Sequence, residues 1–140
     1  KGLKLKESED KIKYVKSKDR KDENGEVFTP SYIVDEMLEL LPEGVLNNPD
    51  KTFLDPTCGN GNILVRILER RIELGLDPIK SCESLYGLEL MQDNVDECIS
   101  RLKELAPGSK PNIKQINFFD VNWQGEWEDI GKESNTDLLF

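Results

Sequence analysis

The chain has 140 residues, 36% of them hydrophobic and 34% charged, with a formal net charge of -9. This length supports one buried core and excludes two full domains. The three cysteines lack C-x-x-C pairing and histidine is absent, which excludes an imidazole base and argues against a zinc site or a disulfide framework.

Charge is spread unevenly. Residues 1–21 carry nine Lys/Arg against four acids, about +5, which leaves about -14 on the rest. Residues 1–24 therefore read as a basic, partly helical or flexible leader able to touch phosphates, and residues 25–140 as the folded part. An acidic body grips duplex DNA poorly by itself. No apolar run approaches the roughly 20 residues of a membrane span and no N-terminal stretch reads as a secretory signal. The expectation is a soluble, cytoplasmic protein without a membrane partner. Because the chain opens on Lys1 and residues 138–140 read as a strand just starting, it is expected to be a portion of a longer protein.

In chain order, Gly25-Glu26-Val27-Phe28-Thr29-Pro30 reads as extended or turn, since the residue before a proline is pushed out of the helical region. Ser31 can cap a helix over residues 31–41, whose apolar face is Ile33, Val34, Met37, Leu38 and Leu41, and Pro42 stops it. Residues 43–50 form a loop. Thr52–Asp55 is a short buried strand running into a glycine loop. Ile63, Leu64, Ile67, Leu68 and Ile72 then place a helix over residues 62–74, with Gly75 at its C-terminal cap. Residues 78–84 connect, with room for a helical turn, to a second strand, Leu85–Glu89. Val95, Cys98, Ile99, Leu102 and Leu105 mark a helix over about 92–105, closed by Pro107-Gly108. Residues 112–119 supply a third strand, in which one of Phe118 and Phe119 faces the core, and 138–140 start a fourth. Trp123 and Trp127, at helical spacing, read as packing residues. Alternating strands and helices imply a Rossmann-like α/β fold, half of a doubly wound domain, with a parallel sheet and helices on both faces.

Ligands of such sheets bind at the carboxyl ends of the strands. Here those ends carry Asp55 with its glycine loop, Glu89, and residues 117–120. Gly59 and Gly61 let backbone approach a ligand, and the helix beyond presents free amides. No lysine follows Gly61, so a triphosphate loop is not supported, and Leu64 stands where a dinucleotide fingerprint needs its third glycine. An acid at the strand end suits a cationic, amino-acid-bearing ligand. Glu89 can accept both hydroxyls of a ribose, Leu90 and Met91 can flank a base, Phe118 can close over it, and Asn117 can bond its edge. An adenosine with a charged amino-acid tail is S-adenosylmethionine. Cys58 reads as a small buried residue of the turn.

Asp55-Pro56-Thr57-Cys58-Gly59-Asn60-Gly61 resembles the D-P-x-C-G-x-G cofactor loop of adenine-N6 DNA methyltransferases. Gly25 to Pro30 is similar to the G-x-x-F/Y-T-P segment preceding that loop in the gamma motif order and in type I modification subunits. The resemblance covers about residues 20–120. It implies that Phe28, Thr29 and Pro30, with Asp55 and Gly59, lie at the methionine end of S-adenosylmethionine, and that Pro56, Cys58 and Gly61 belong to the cofactor-binding loop. It further implies that Glu89 holds the ribose and that Leu90, Asn117 and Phe118 bracket the adenine. Asn117, or Asp120 nearby, replaces the family's usual acid at the third strand.

The family's catalytic segment, Asp/Asn/Ser-Pro-Pro followed by Tyr/Phe/Trp, has no counterpart in these residues; Asn48-Pro49 precedes the glycine loop and is followed by Asp50. No catalytic residue is therefore assigned. The expectation is the cofactor-binding portion of a DNA adenine methyltransferase from a restriction-modification system or phage, inactive alone. DNA would be reached mainly through other parts of the parent, and a specificity subunit or a complementary C-terminal half are the implied partners. The alternatives are a non-catalytic S-adenosylmethionine-binding regulator, half of a split enzyme, or a methyltransferase acting on RNA or protein.

Overall fold

A computed structural model describes residues 28–120 and 136–138. The leader, Trp123, Trp127, Leu139 and Phe140 lie outside the described residues. The elements are α1 (Ser31–Glu39), β1 (Thr52–Asp55), α2 (Asn62–Glu73), α3 (Pro78–Glu83), β2 (Leu85–Glu89), α4 (Gln92–Leu105), β3 (Asn112–Gln115), a 3-10 turn (Phe118–Asp120) and β4 (Thr136–Leu138). The four strands form one sheet in the order β3-β2-β1-β4. All neighbours are parallel, with Asp55 opposite Gly87 and Glu89 opposite Gln115.

The two strands around the glycine loop and the helix over 92–105 stand where the sequence puts them. The helix after the loop closes with a Schellman motif in which the Gly75 N–H donates to Ile72 O (2.9 Å) and the Leu76 N–H to Arg71 O (3.0 Å). Several details are refined or changed. Ser31 does not cap α1: Pro30 is the N-cap, and its carbonyl accepts from Ile33 and Val34, so Ser31 is already inside the helix. The connector before β2 is a true short helix, because Pro78 starts it and the Asp77 carboxylate accepts the Lys80 N–H at 2.8 Å. The third strand ends at Gln115, where the Ile116 N–H makes a last bond to Glu89 O. Asn117 then turns the chain: its Oδ1 accepts the Phe119 N–H (3.0 Å) and its carbonyl accepts the Asp120 N–H (2.9 Å). Phe119 is consequently exposed, while the side chain of Phe118 lies outside the described residues. The fourth strand starts at Thr136 rather than 138 and pairs with β1.

Among the described residues, helix α2 packs against both α1 and α4, so these three lie side by side in one layer. The physical reason is the direction of travel: β1, β2 and β3 step one way across the sheet, and crossovers of one hand then deposit their helices on one side. Beneath that layer the core joins Val34 and Leu38 of α1, Phe53 of β1, Leu64, Ile67 and Leu68 of α2, Leu85 of β2, and Val95, Cys98 and Leu102 of α4. Each such side chain contributes about 1.5–3 kcal/mol on leaving water. Arg66 of α2 grips Asp35 of α1 through two nitrogens, at 2.5 and 3.3 Å, fixing how α1 enters the molecule. Among the described residues no helix is long and apolar enough to cross a membrane.

Candidate functional site

The site grows from the end of β1. Asp55 is 2% exposed. Its Oδ1 accepts the Thr57 N–H at 3.1 Å, while its Oδ2 is buried without a hydrogen-bond partner among the described residues. Burial pushes this carboxyl up to about 6, opposed by the Thr57 N–H and reinforced by the charge of Glu89. The loop then turns through Gly59 (φ 56) and Gly61 (φ 92), both left-handed. It is stitched to the neighbouring strand by the Cys58 N–H donating to Leu88 O at 2.8 Å.

Close packing fixes the rest of the loop. A β-carbon at Gly61 would stand 2.6 Å from Cys98 Sγ, and one at Gly87 would stand 2.8 Å from Cys58 Sγ. Cys58 is buried beside Cys98, whose thiol and the surrounding burial raise its pKa far beyond any reactive range, so it is a packing residue. At Gly59 a β-carbon would meet the Phe28 ring at 3.1 Å and Glu89 Oε2 at 3.8 Å. The Phe28 ring, the glycine backbone and the Glu89 carboxylate therefore converge on one point. Glu89 is aimed there by the two residues that follow it, since its Oε1 accepts the Leu90 and Met91 N–H groups at 2.8 and 3.2 Å and Oε2 is left toward Gly59.

Phe28, Thr29, Asp55, Cys58 and Gly59 line one small opening in the surface, together with Thr57, Asn60, Asn62 and Ile63. Pro30 stands just beyond, as the N-cap of α1, and Pro56 is buried under the loop. Leu90 and Asn117 are exposed, and Asn117 has already used its Oδ1 on Phe119. Residues that sequence reasoning passed over occupy the floor. Asn62 Nδ2 donates to Thr29 O at 3.0 Å, and Arg101 of α4 donates through Nη1 to Asn62 Oδ1 (2.7 Å) and Asn60 O (3.0 Å). Spacing gives no signal for them, because a polar side chain at a helix start or on a charged helix face reads as solvated. Among the described residues no cluster of side chains could hold a metal ion.

The chain is similar to known proteins in sequence and in fold. The chain is similar to the Type II methyltransferase M.VspI of Vibrio sp. (strain 343), 30% identical over 110 residues, which is 79% of this chain and 24% of that protein. It thus spans about a quarter of that relative's length. Among solved structures it is similar to an RNA methyltransferase from Salinibacter ruber in complex with S-adenosyl-L-homocysteine, with a TM-score of 0.51 and 24% identity, covering 68% of this chain and 53% of that one. That likeness gives the fold, the one shared by S-adenosylmethionine-dependent methyltransferases. The family described as N-6 DNA Methylase matches residues 12–100, a stretch holding the glycine loop, both site carboxylates and the Phe28–Pro30 approach. On that match, the chain belongs to the N-6 DNA methylase family.

Proposed function

We propose that this chain is the S-adenosylmethionine-binding portion of an adenine-N6 DNA methyltransferase of the restriction-modification type. The observation that carries the reading is Asp55 Oδ2: a buried carboxylate oxygen without a partner among the described residues, beside a glycine cradle closed by the Phe28 ring and the Glu89 carboxylate. A buried charge is costly unless something pairs with it, and a cationic amino-acid tail supplies that pairing. Asp55 would face the methionine end, with Phe28, Thr29 and Pro30 as the opposite wall and Gly59 and Gly61 letting the backbone close in. Glu89, already oriented by two N–H groups, would accept the ribose hydroxyls. Leu90 and the Asn117-Phe118 turn would border the base, with the Asn117 amide N–H groups as donors.

When bound, S-adenosylmethionine supplies an electrophilic methyl group on a sulfonium. The chain's own residues bind and orient that donor and exclude water from one side of it. The polar group that would hold a target amine belongs to the Asp/Asn/Ser-Pro-Pro-Tyr/Phe/Trp segment, which these 140 residues do not contain. We therefore assign cofactor binding to this chain and turnover to its combination with that segment. DNA as substrate is supported by the family match.

Titration calorimetry with S-adenosylhomocysteine tests the reading. Asp55→Asn and Glu89→Ala should each weaken binding by about 1–3 kcal/mol, the range for a lost charge-assisted hydrogen bond, with the circular dichroism of the free protein unchanged. Equal affinity in both variants overturns it. Methyl transfer from labelled cofactor to duplex DNA should be undetectable with this chain alone.

A further inference from the structure

Two residues one turn apart on α4 reach under the glycine loop and take hold of Asn60 from both sides. Glu97 Oε1 accepts from Asn60 Nδ2 at 3.3 Å, and Arg101 Nη1 donates to the Asn60 carbonyl at 3.0 Å. The same Arg101 nitrogen donates to Asn62 Oδ1 at 2.7 Å. That bond fixes which way the Asn62 amide lies, so its Nδ2 donates to the Thr29 carbonyl at 3.0 Å. The result is a chain of contacts from α4 through the first residue of α2 to the segment in front of α1. This segment carries Phe28, the side chain that leans on Gly59.

We propose that Arg101 is a positioning residue, which sets the separation between the Phe28–Pro30 wall and the glycine loop by orienting the Asn62 amide. Arg101 is half-buried on α4, and the packing of α4 into the core rests on Val95, Cys98 and Leu102. Removing the guanidinium therefore leaves the apolar interface of α4 in place. It frees the Asn62 amide to rotate, the Thr29 carbonyl loses its donor, and the wall moves off the loop. The ligand concerned is the sulfonium nucleoside of the previous section, and the affinity test rests on that reading.

Three variants and two measurements decide it. Arg101→Met keeps the stem of the side chain and loses the donor. Arg101→Lys keeps a single donating nitrogen, which is all the geometry uses. Asn62→Asp keeps an acceptor for Arg101 and adds an acid at the start of α2, which favours the helix, yet it places an oxygen against the Thr29 carbonyl. In calorimetry with S-adenosylhomocysteine, Arg101→Met and Asn62→Asp should bind roughly fivefold to tenfold more weakly, the range for one hydrogen bond, while Arg101→Lys recovers at least half of the loss. The Tm of Asn62→Asp should not fall. Hydrogen exchange on the free protein is the second measurement and needs no ligand: backbone amides of residues 28–34 and 59–62 should exchange several-fold faster in Arg101→Met and Asn62→Asp, with those of β2 and β3 unchanged. Unchanged exchange at residues 28–34 in both variants overturns the proposal. Failure of the wild-type chain to bind S-adenosylhomocysteine while exchange responds as stated would sink the cofactor reading and leave the clamp standing. Equal losses in binding and Tm for every variant would reduce Arg101 to a packing residue and also overturn it.

Discussion

Asp55 shows how one buried side chain ties stability to pH. Its carboxyl ionises near 3.8 in an unfolded chain and at about 6 in the fold, so the folded state holds the extra proton between those values. A folded pKa raised above the unfolded one means that stability declines as pH climbs from about 4 to 6, and the full cost, about 3 kcal/mol, is present above that window. Denaturant unfolding of the wild type and of Asp55→Asn at pH 4.5 and 7.5 should show the variant gaining on the wild type by about 2–3 kcal/mol between the two. The same proton opposes a cationic ligand. Affinity for S-adenosylmethionine should rise about tenfold from pH 5 to 7.5 in the wild type, one pKa step being worth a decade, and stay flat in Asp55→Asn. The place of Asp55 at a strand end, between an apolar run and a glycine loop, was legible in the sequence. Its lone Oδ2 was not, because depth of burial is a property of packing.

The elements around the loop divide the same way. Boundaries set by local chemistry were readable: the glycine that ends α2, the proline-glycine pair after α4, and the apolar runs of β1 and β2. Boundaries set by a single hydrogen bond were not, such as Asn117 turning the chain out of β3. Glycines separate by what surrounds them. Gly61→Ala would press a β-carbon to 2.6 Å from Cys98 Sγ at a φ of 92°, and Gly87→Ala would press one to within 2.9 Å of Cys58, Ile113 and Leu64. Both should lower unfolding free energy by about 2–4 kcal/mol, combining overpacking with backbone strain at the first. Gly75→Ala, at a φ of 86° with open space around it, should cost only about 1 kcal/mol. Thermal unfolding of the three variants checks the order.

Across the whole molecule, Arg71 holds the lower end of the sheet together. It is fully buried in a helix whose sequence reads as amphipathic, so its position was invisible from spacing alone. Its guanidinium donates to the carbonyls of Leu46, Asn48 and Lys51 and to Ser84 Oγ, and lies over the Phe53 ring at 5.0 Å. One side chain thus fastens the loop before β1 to the turn before β2. Arg71→Met keeps most of the volume and strips donors from three carbonyls, so it should cost about 3–5 kcal/mol in denaturant unfolding. A cost below about 1 kcal/mol would mean that water replaces those donors.

The contact of Phe28 with Gly59 joins a stretch of chain written before the first strand to the loop written after it, with the exposed turn at Gly44 in between. Nicking the backbone at that turn would produce two peptides whose shared surface includes the berth proposed for the nucleoside. A small molecule lodged there would act as mortar between them, so the dissociation of a nicked protein could serve as a gauge of occupancy without any chemistry being followed.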